Sequence, residues 1–200
     1  MFLRNGMRVA ALAGTMLLGA CAPVIVGGIA TGAITTAQAR SAGEALTDAE
    51  IKVRISDALL QQDSTLFSQV ETSVTEGRVV LLGAVSTAQD RERVGQIAAG
   101  IADVREVINE LIVADRGWRD VATDTRIDTE ISARLLGAED IVSVNYDIET
   151  VNRTVHVMGL ARSTAELQRV TQIASQVSGV QQVISHVLLT TDPRRRRDNT

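Results

Sequence analysis

The sequence predicts an α+β protein made of two tandem units of the order α-β-β-α-β, each a three-stranded mixed sheet packed on two helices. Two observations lead there. Residues 48–113 lie on residues 124–189 at a constant offset of 76 with no gap, and sixteen of the 66 pairs are identical. Within each copy, apolar spacing switches between helical and alternating in the same order. Eleven identical pairs are apolar: Ile51/Ile127, Ile55/Ile131, Leu59/Leu135, Leu60/Leu136, Val79/Val155, Val94/Val170, Ile97/Ile173, Ala98/Ala174, Val104/Val180, Val107/Val183 and Ile108/Ile184. A shared apolar pattern means a shared core, so each copy is one unit of the same small fold. The units are expected over residues 47–114 and 123–190, joined by a linker over 115–122.

Each element follows from its residues. A first helix places Ile51, Ile55, Ala58 and Leu59 on one face, with Thr47 or Asp48 able to cap it. In the second copy Asp124 is the expected cap, and Ile127, Ile131 and Leu135 form the face. Val142, Val144, Tyr146 and Ile148 alternate as a half-buried strand does, matching Val70, Thr72 and Val74. Glu76-Gly77 and Asn152-Arg153 are turns into the strands Val79–Leu82 and Val155–Met158, and such short connections favour β-hairpins. The second helix carries Val94, Ile97, Ala98 and Ile101, or Leu167, Val170, Ile173, Ala174 and Val177. A third strand, 106–113 or 182–189, ends each unit. Two helices on one sheet face bury both stripes.

Composition narrows the function. The chain has 200 residues, 45% of them hydrophobic but only 2% aromatic, so there are few stacking surfaces for bases or sugars. A net charge of −4 gives no bulk attraction to nucleic acid. One cysteine, Cys21, excludes an internal disulfide and a cysteine metal cluster. No cofactor motif is present: neither Gly-x-Gly-x-x-Gly nor a phosphate loop occurs. The carboxylates scatter over helix surfaces and turns rather than pairing as an acid/base site, so an enzyme is not expected. His156 and His186 lie in expected strands. They can neighbour each other across the sheet, but two imidazoles lack a third ligand for a metal.

Residues 1–20 have the build of an export signal: Arg4 and Arg8, then the short apolar run Val9–Leu18. Leu18-Gly19-Ala20-Cys21 resembles the bacterial lipobox, which makes Cys21 the expected lipid anchor. The other reading is an ordinary secretory signal that leaves Cys21 as a thiol. In lipoproteins of this kind Asp after the Cys marks inner-membrane retention. Ala22 stands there, and the resemblance implies anchoring in the outer membrane, facing the periplasm. Residues 21–46, rich in Ala, Gly and Thr, read as a tether; the alternative is a second membrane-inserted stretch over Val24–Ala39.

Other residues stand out. Gly83 and Gly159 fit a bulge or a close backbone approach where strand meets helix. Trp118, in Arg116-Gly117-Trp118-Arg119, reads either as a plug between the units or as a membrane or partner contact. Arg194, Arg195, Arg196 and Arg197 follow Pro193 in a tail, 191–200, expected to be disordered. The first unit carries eleven acids against six bases and the second eight against five. The tail is therefore the expected attractor for an anionic surface, or else a solubilising tail.

The α-β-β-α-β order resembles the BON domain. So do the apolar-Gly ends of the second strands (Leu82-Gly83, Met158-Gly159) and the late Val-x-x-Val-Ile (Val104 to Ile108, Val180 to Ile184). Two copies behind a lipobox look like the dual-BON outer-membrane lipoproteins of the DolP group. The resemblance implies a non-enzymatic envelope protein whose second domain binds anionic phospholipid and supports envelope integrity. The face it carries over is the first helix of the second copy, about Thr125 to Leu136, with Arg126 and Thr129. Here the chain departs from the group's pattern, with Arg126 where an aromatic stands. The alternative is a periplasmic adaptor for protein partners such as outer-membrane assembly or stress-response factors. Lipid binding predicts one exposed face shared by Trp118, Arg126 and the Arg tail; an adaptor predicts an exposed apolar patch elsewhere, such as a sheet face or an edge strand.

Overall fold

The computed structural model describes residues 41–195, with the backbone alone at Trp118. Helix α1 (Ala42–Gln62) starts earlier than Thr47 or Asp48. Ser41 is the cap: its hydroxyl accepts from Glu44 N at 3.2 Å, and the Glu44 carboxylate accepts from Ser41 N at 2.7 Å. The expected tether, 21–46, therefore ends in helix; its part before residue 41 lies outside the described residues. A short helix α2 (Ser64–Gln69) follows, capped by Asp63 and burying Leu66.

Strands β1 (Val70–Thr75) and β2 (Arg78–Val85) form the expected antiparallel hairpin. Its two turn residues, Glu76 and Gly77, both have positive φ (54° and 74°), as a tight two-residue hairpin requires. Helix α3 (Ala88–Ala99) crosses back, and β3 (Glu106–Asn109) and β4 (Ile112–Val113) pair parallel to β2. The third strand is thus broken rather than continuous over 106–113. Asn109 is at the break: its Oδ1 accepts from Leu111 N and its Nδ2 donates to Arg91 O.

The second copy repeats this order: α4 (Trp118–Leu136), β5 (Tyr146–Val151), β6 (Thr154–Ala161), α5 (Thr164–Ser175), β7 (Gln182–Ser185) and β8 (Leu188–Leu189). Helix α4 begins inside the expected linker. Asp120, not Asp124, supports its start by accepting from Gly117 N at 3.1 Å. Val142 and Val144 are not strand residues. A 3₁₀ turn, Ser143–Asn145, takes their place, and Val142 N is held by the Glu166 carboxylate at 3.0 Å.

Gly83 and Gly159 have φ of 118° and 124°. A Cβ there would lie 2.1 Å from Gln69 O and 1.9 Å from Asn145 O, so backbone passes where a side chain would stand.

Both helices of each unit cover one sheet face. Ile51, Ile55, Leu59, Val79, Leu81 and Val94 centre the first core; Ile127, Ile131, Val155, Val157, Val170 and Ala174 centre the second. The opposite sheet faces meet each other. Val80 and Leu82 pack with Val151 and Met158, flanked by Ile108 and Ile112. Every residue of β2 is buried because helices cover one side and the other unit covers the second. Strand β1 meets β6 and β2 meets β5. As β1 and β5 are repeat mates, and β2 and β6 likewise, the units meet about a pseudo-two-fold axis.

Candidate functional site

Helix α4 presents the surface that the resemblance singled out. Its inward line is Asp124, Ile127, Ile131 and Leu135, all buried. At 100° per residue, Val121, Ala122, Thr125, Thr129, Ser132, Ala133 and Leu136 share the outward line, and all are exposed. None carries a charge. Thr125 and Thr129 turn their hydroxyls back to the carbonyls of Val121 (2.9 Å) and Thr125 (2.8 Å). Their hydrogen bonding is satisfied locally, which leaves methyl groups for the surface. Leu136 closes the line at 78% exposure, and Trp118 is the helix's first residue.

Arg126 borders this line. It donates to Glu130 at 3.0 Å and to Ser178 O at 2.5 Å, and Arg134 pairs with Glu130 at 2.5 Å. The border is therefore basic but partly neutralised. The Arg tail is elsewhere. Arg195 reaches the first unit's buried Glu76 with Nε at 2.8 Å, and Arg194 O accepts from Arg105 of the first unit. Arg194 also pairs with Asp192 at 2.8 Å. The expected disordered attractor is thus, as far as residue 195, a clasp on the first unit, whereas Arg126 is bonded within the second. Buried Glu76 is what draws Arg195 in. Arg196, Arg197 and Cys21 lie outside the described residues.

Two buried acids, Asp48 and Asp124, lie inside their helices and do not cap them. Asp48 accepts from Glu76 N (2.8 Å) and Gly77 N (2.9 Å); Asp124 accepts from Asn152 N (2.8 Å) and Arg153 N (2.9 Å). Each ties the first helix to the hairpin turn of its own unit. Asp124 also pairs with Arg116. The visible signal was the identity of Asp48 and Asp124 at the repeat offset, opposite equivalent turns.

The polar part of the unit–unit interface gathers titratable groups. His156 Nδ1 lies 3.3 Å from His186 Nε2, with the rings nearly parallel. His186 Nε2 lies 3.8 Å from Glu110 Oε1 of the first unit, and Arg78 Nη1 donates to His186 O at 3.1 Å. Burial, then the neighbouring His186, pulls the His156 imidazole down to about 4. Burial lowers His186 too, against the pull of Glu110. Glu149 behaves oppositely: burial, then Asp128, Glu71 and Asp147, pushes it up to about 7. Among the described residues no group of three His, Cys, Asp or Glu side chains is placed to hold a metal. A groove of about 370 Å³ runs between the units, lined by Lys52, Ser73 and Thr75 on one side and Tyr146, Asp147 and Leu160 on the other. No described helix is long and apolar enough to cross a membrane.

Comparison with known proteins agrees with the repeat. The chain is 39% identical over 153 residues to a protein of Anaplasma centrale described as "Uncharacterized protein in gshII 5'region", covering 76% of this chain and 100% of that one. It is 23% identical over 176 residues to the outer membrane lipoprotein DolP of Haemophilus influenzae, covering 86% and 90%. It is 28% identical over 144 residues to osmotically-inducible protein Y of Escherichia coli, covering 70% and 72%. The BON domain model matches residues 47–115 and again 123–191. The chain therefore belongs to the BON-domain family, as a tandem of two such domains.

Proposed function

We propose that the chain is a non-enzymatic envelope lipoprotein, anchored through Cys21 in the outer membrane, whose second BON domain binds anionic phospholipid along α4 and so supports envelope integrity. The observation that carries this reading is the uncharged outward line from Val121 to Leu136, bordered by Arg119 and Arg126. A helix lying in a lipid interface needs an apolar stripe with basic residues at headgroup level. Arg126 supplies charge where an aromatic would supply a wedge, so binding rests on Thr methyls, Val121 and Leu136. The likeness to a lipoprotein named for the outer membrane supports the location.

Liposome flotation with the chain from residue 41 tests the reading. Vesicles containing anionic phospholipid should retain it and neutral vesicles should not, with binding falling as salt rises. Thr129→Glu or Leu136→Glu should weaken binding roughly tenfold or more, as expected when about 1.5 kcal/mol or more of apolar burial is lost. Equal binding by wild type and both variants sinks the assignment of α4.

A second reading has its own observation. On α1, Leu46, Val53 and Leu60 are exposed at seven-residue spacing, with Phe67 also exposed nearby on α2. That stripe suits an adaptor for a protein partner. It becomes the better reading if no liposome retains the chain.

A further inference from the structure

Glu110 and His186 are repeat mates, separated by the offset of 76, and each sits at the break in the third strand of its unit. They face each other because the units meet about a pseudo-two-fold axis. The symmetry fails next door. His156 stands where the first unit has Val80, on the interface face of the central strand. The second unit thus brings two imidazoles to the seam beside the apolar cluster of Val80, Leu82, Val151 and Met158.

We propose that the His156–His186 pair, with Glu110 opposite, is an acid-sensitive latch that keeps the two BON domains packed when neutral and releases them when both rings are protonated. At 3.3 Å the two ring nitrogens share one proton: one donates and the other accepts. The contact therefore needs at least one neutral ring. A second proton would leave two cations at hydrogen-bond distance in a site where His156 is only 4% exposed. The surroundings do not balance that charge. Glu110 is the one carboxylate within 4 Å of the pair among the described ion pairs. From β2, Arg78 adds a cation that Glu106 on β3 already occupies at 2.6 Å. From β5, Glu149 is the cross-strand partner of His156, but it is itself held toward its neutral form. Glu76 is engaged by Arg195. Opening the seam returns both rings to water, where each takes a proton freely.

The sign follows. Ring pKa values lowered in the packed state leave the interface unaffected above about 6.5. They penalise it progressively as the pH falls toward about 4. Glu149 works the other way, since acid neutralises it, so a measured acid release is carried by the imidazoles against that effect.

Met158 reports the seam, because it is buried between the sheets at 2% exposure. The test is the rate of Met158 oxidation by hydrogen peroxide in the full chain, followed by mass spectrometry from pH 7.5 to 4.5. Far-UV circular dichroism monitors the fold. Wild type should protect Met158 at pH 7.5 and lose at least roughly tenfold of that protection on acidification, with its secondary structure intact. His156→Val, which copies the first unit, and His186→Gln each leave one ring with no like charge to meet. Both should move the loss to lower pH, and if one fails to fold the other still decides. Protection that persists in wild type to pH 4.5 overturns the latch. So does loss at the wild-type pH in the folded variants, which would assign the release to groups other than the two imidazoles. The readout is independent of lipid, so a failure of the α4 reading would leave it standing.

Discussion

Asp48 and Asp124 show how a single buried carboxylate can stabilise a turn that would otherwise be strained. Asn152 and Arg153 both have positive φ, which is costly for Arg in particular. Asp124 offsets this by accepting both turn N–H groups in a site where its side chain is 3% exposed. Asp124→Ala would strand two part-buried turn N–H donors and the Arg116 guanidinium. The expected loss is roughly 3 kcal/mol, with Asp124→Asn keeping part of it. Urea unfolding checks this, and a wild-type midpoint for the alanine variant would refute it. The sequence showed the acid and its repeat mate but not the role. An acid just ahead of an apolar stripe reads as a cap, and the partner N–H groups lie 28 and 29 residues away. Gly83 and Gly159 are more legible, because a glycine shared by both copies within an apolar strand run has few explanations other than a bulge or close backbone approach.

Helices and hairpins were legible from periodicity, and their ends were not. The apolar stripe of α1 begins at Ile51, but the helix runs back to Ala42 because Ser41 and Glu44 close a capping box on a stretch with no stripe. A cap on a helix end is worth about 1 kcal/mol. Ser41→Ala should therefore lower stability by about that amount in thermal unfolding, while the same change at Ser56, mid-helix, should cost less. Equal effects would mean that the first turn does not hold α1. The false strand at Val142 and Val144 has the same origin. Alternation over four residues can come from a 3₁₀ turn that drops one valine toward Glu166 and exposes the other. The uncharged line of α4 could be drawn on a helical wheel once the helix was known to reach Trp118. The back-turned Thr hydroxyls that make it apolar needed coordinates.

The packing of one unit on the other is the least legible feature, though β2 carried a hint of it. Arg78–Val85 reads Arg-Val-Val-Leu-Leu-Gly-Ala-Val, apolar on both faces, which a sheet with one solvated face has no reason to be. The seam also sets how the whole molecule responds to pH. Glu149 faces it with Glu71, Asp147 and Asp128 nearby, and its carboxyl is raised to about 7. A carboxyl raised from an ordinary value near 4.5 gives the folded state extra protons, so stability is fully present below about 4.5 and is lost as the pH rises through about 7. Glu149→Gln removes that ionisation. The variant should match wild type at pH 4.5 and exceed it at pH 8 by about 1–2 kcal/mol, the full shift being discounted for a group that is only part-buried. Paired urea titrations at the two pH values give the answer, and a gain of equal size at both would show that packing rather than charge is responsible. His156 pulls in the opposite direction from about 6.5 down to about 4, so the two groups oppose each other over most of the acid range and Glu149 acts alone only above about 6.5. Wild-type stability should rise as the pH falls from 8 to about 6.5 and change little from there to about 4.5, whereas the Gln variant should show only a loss in acid.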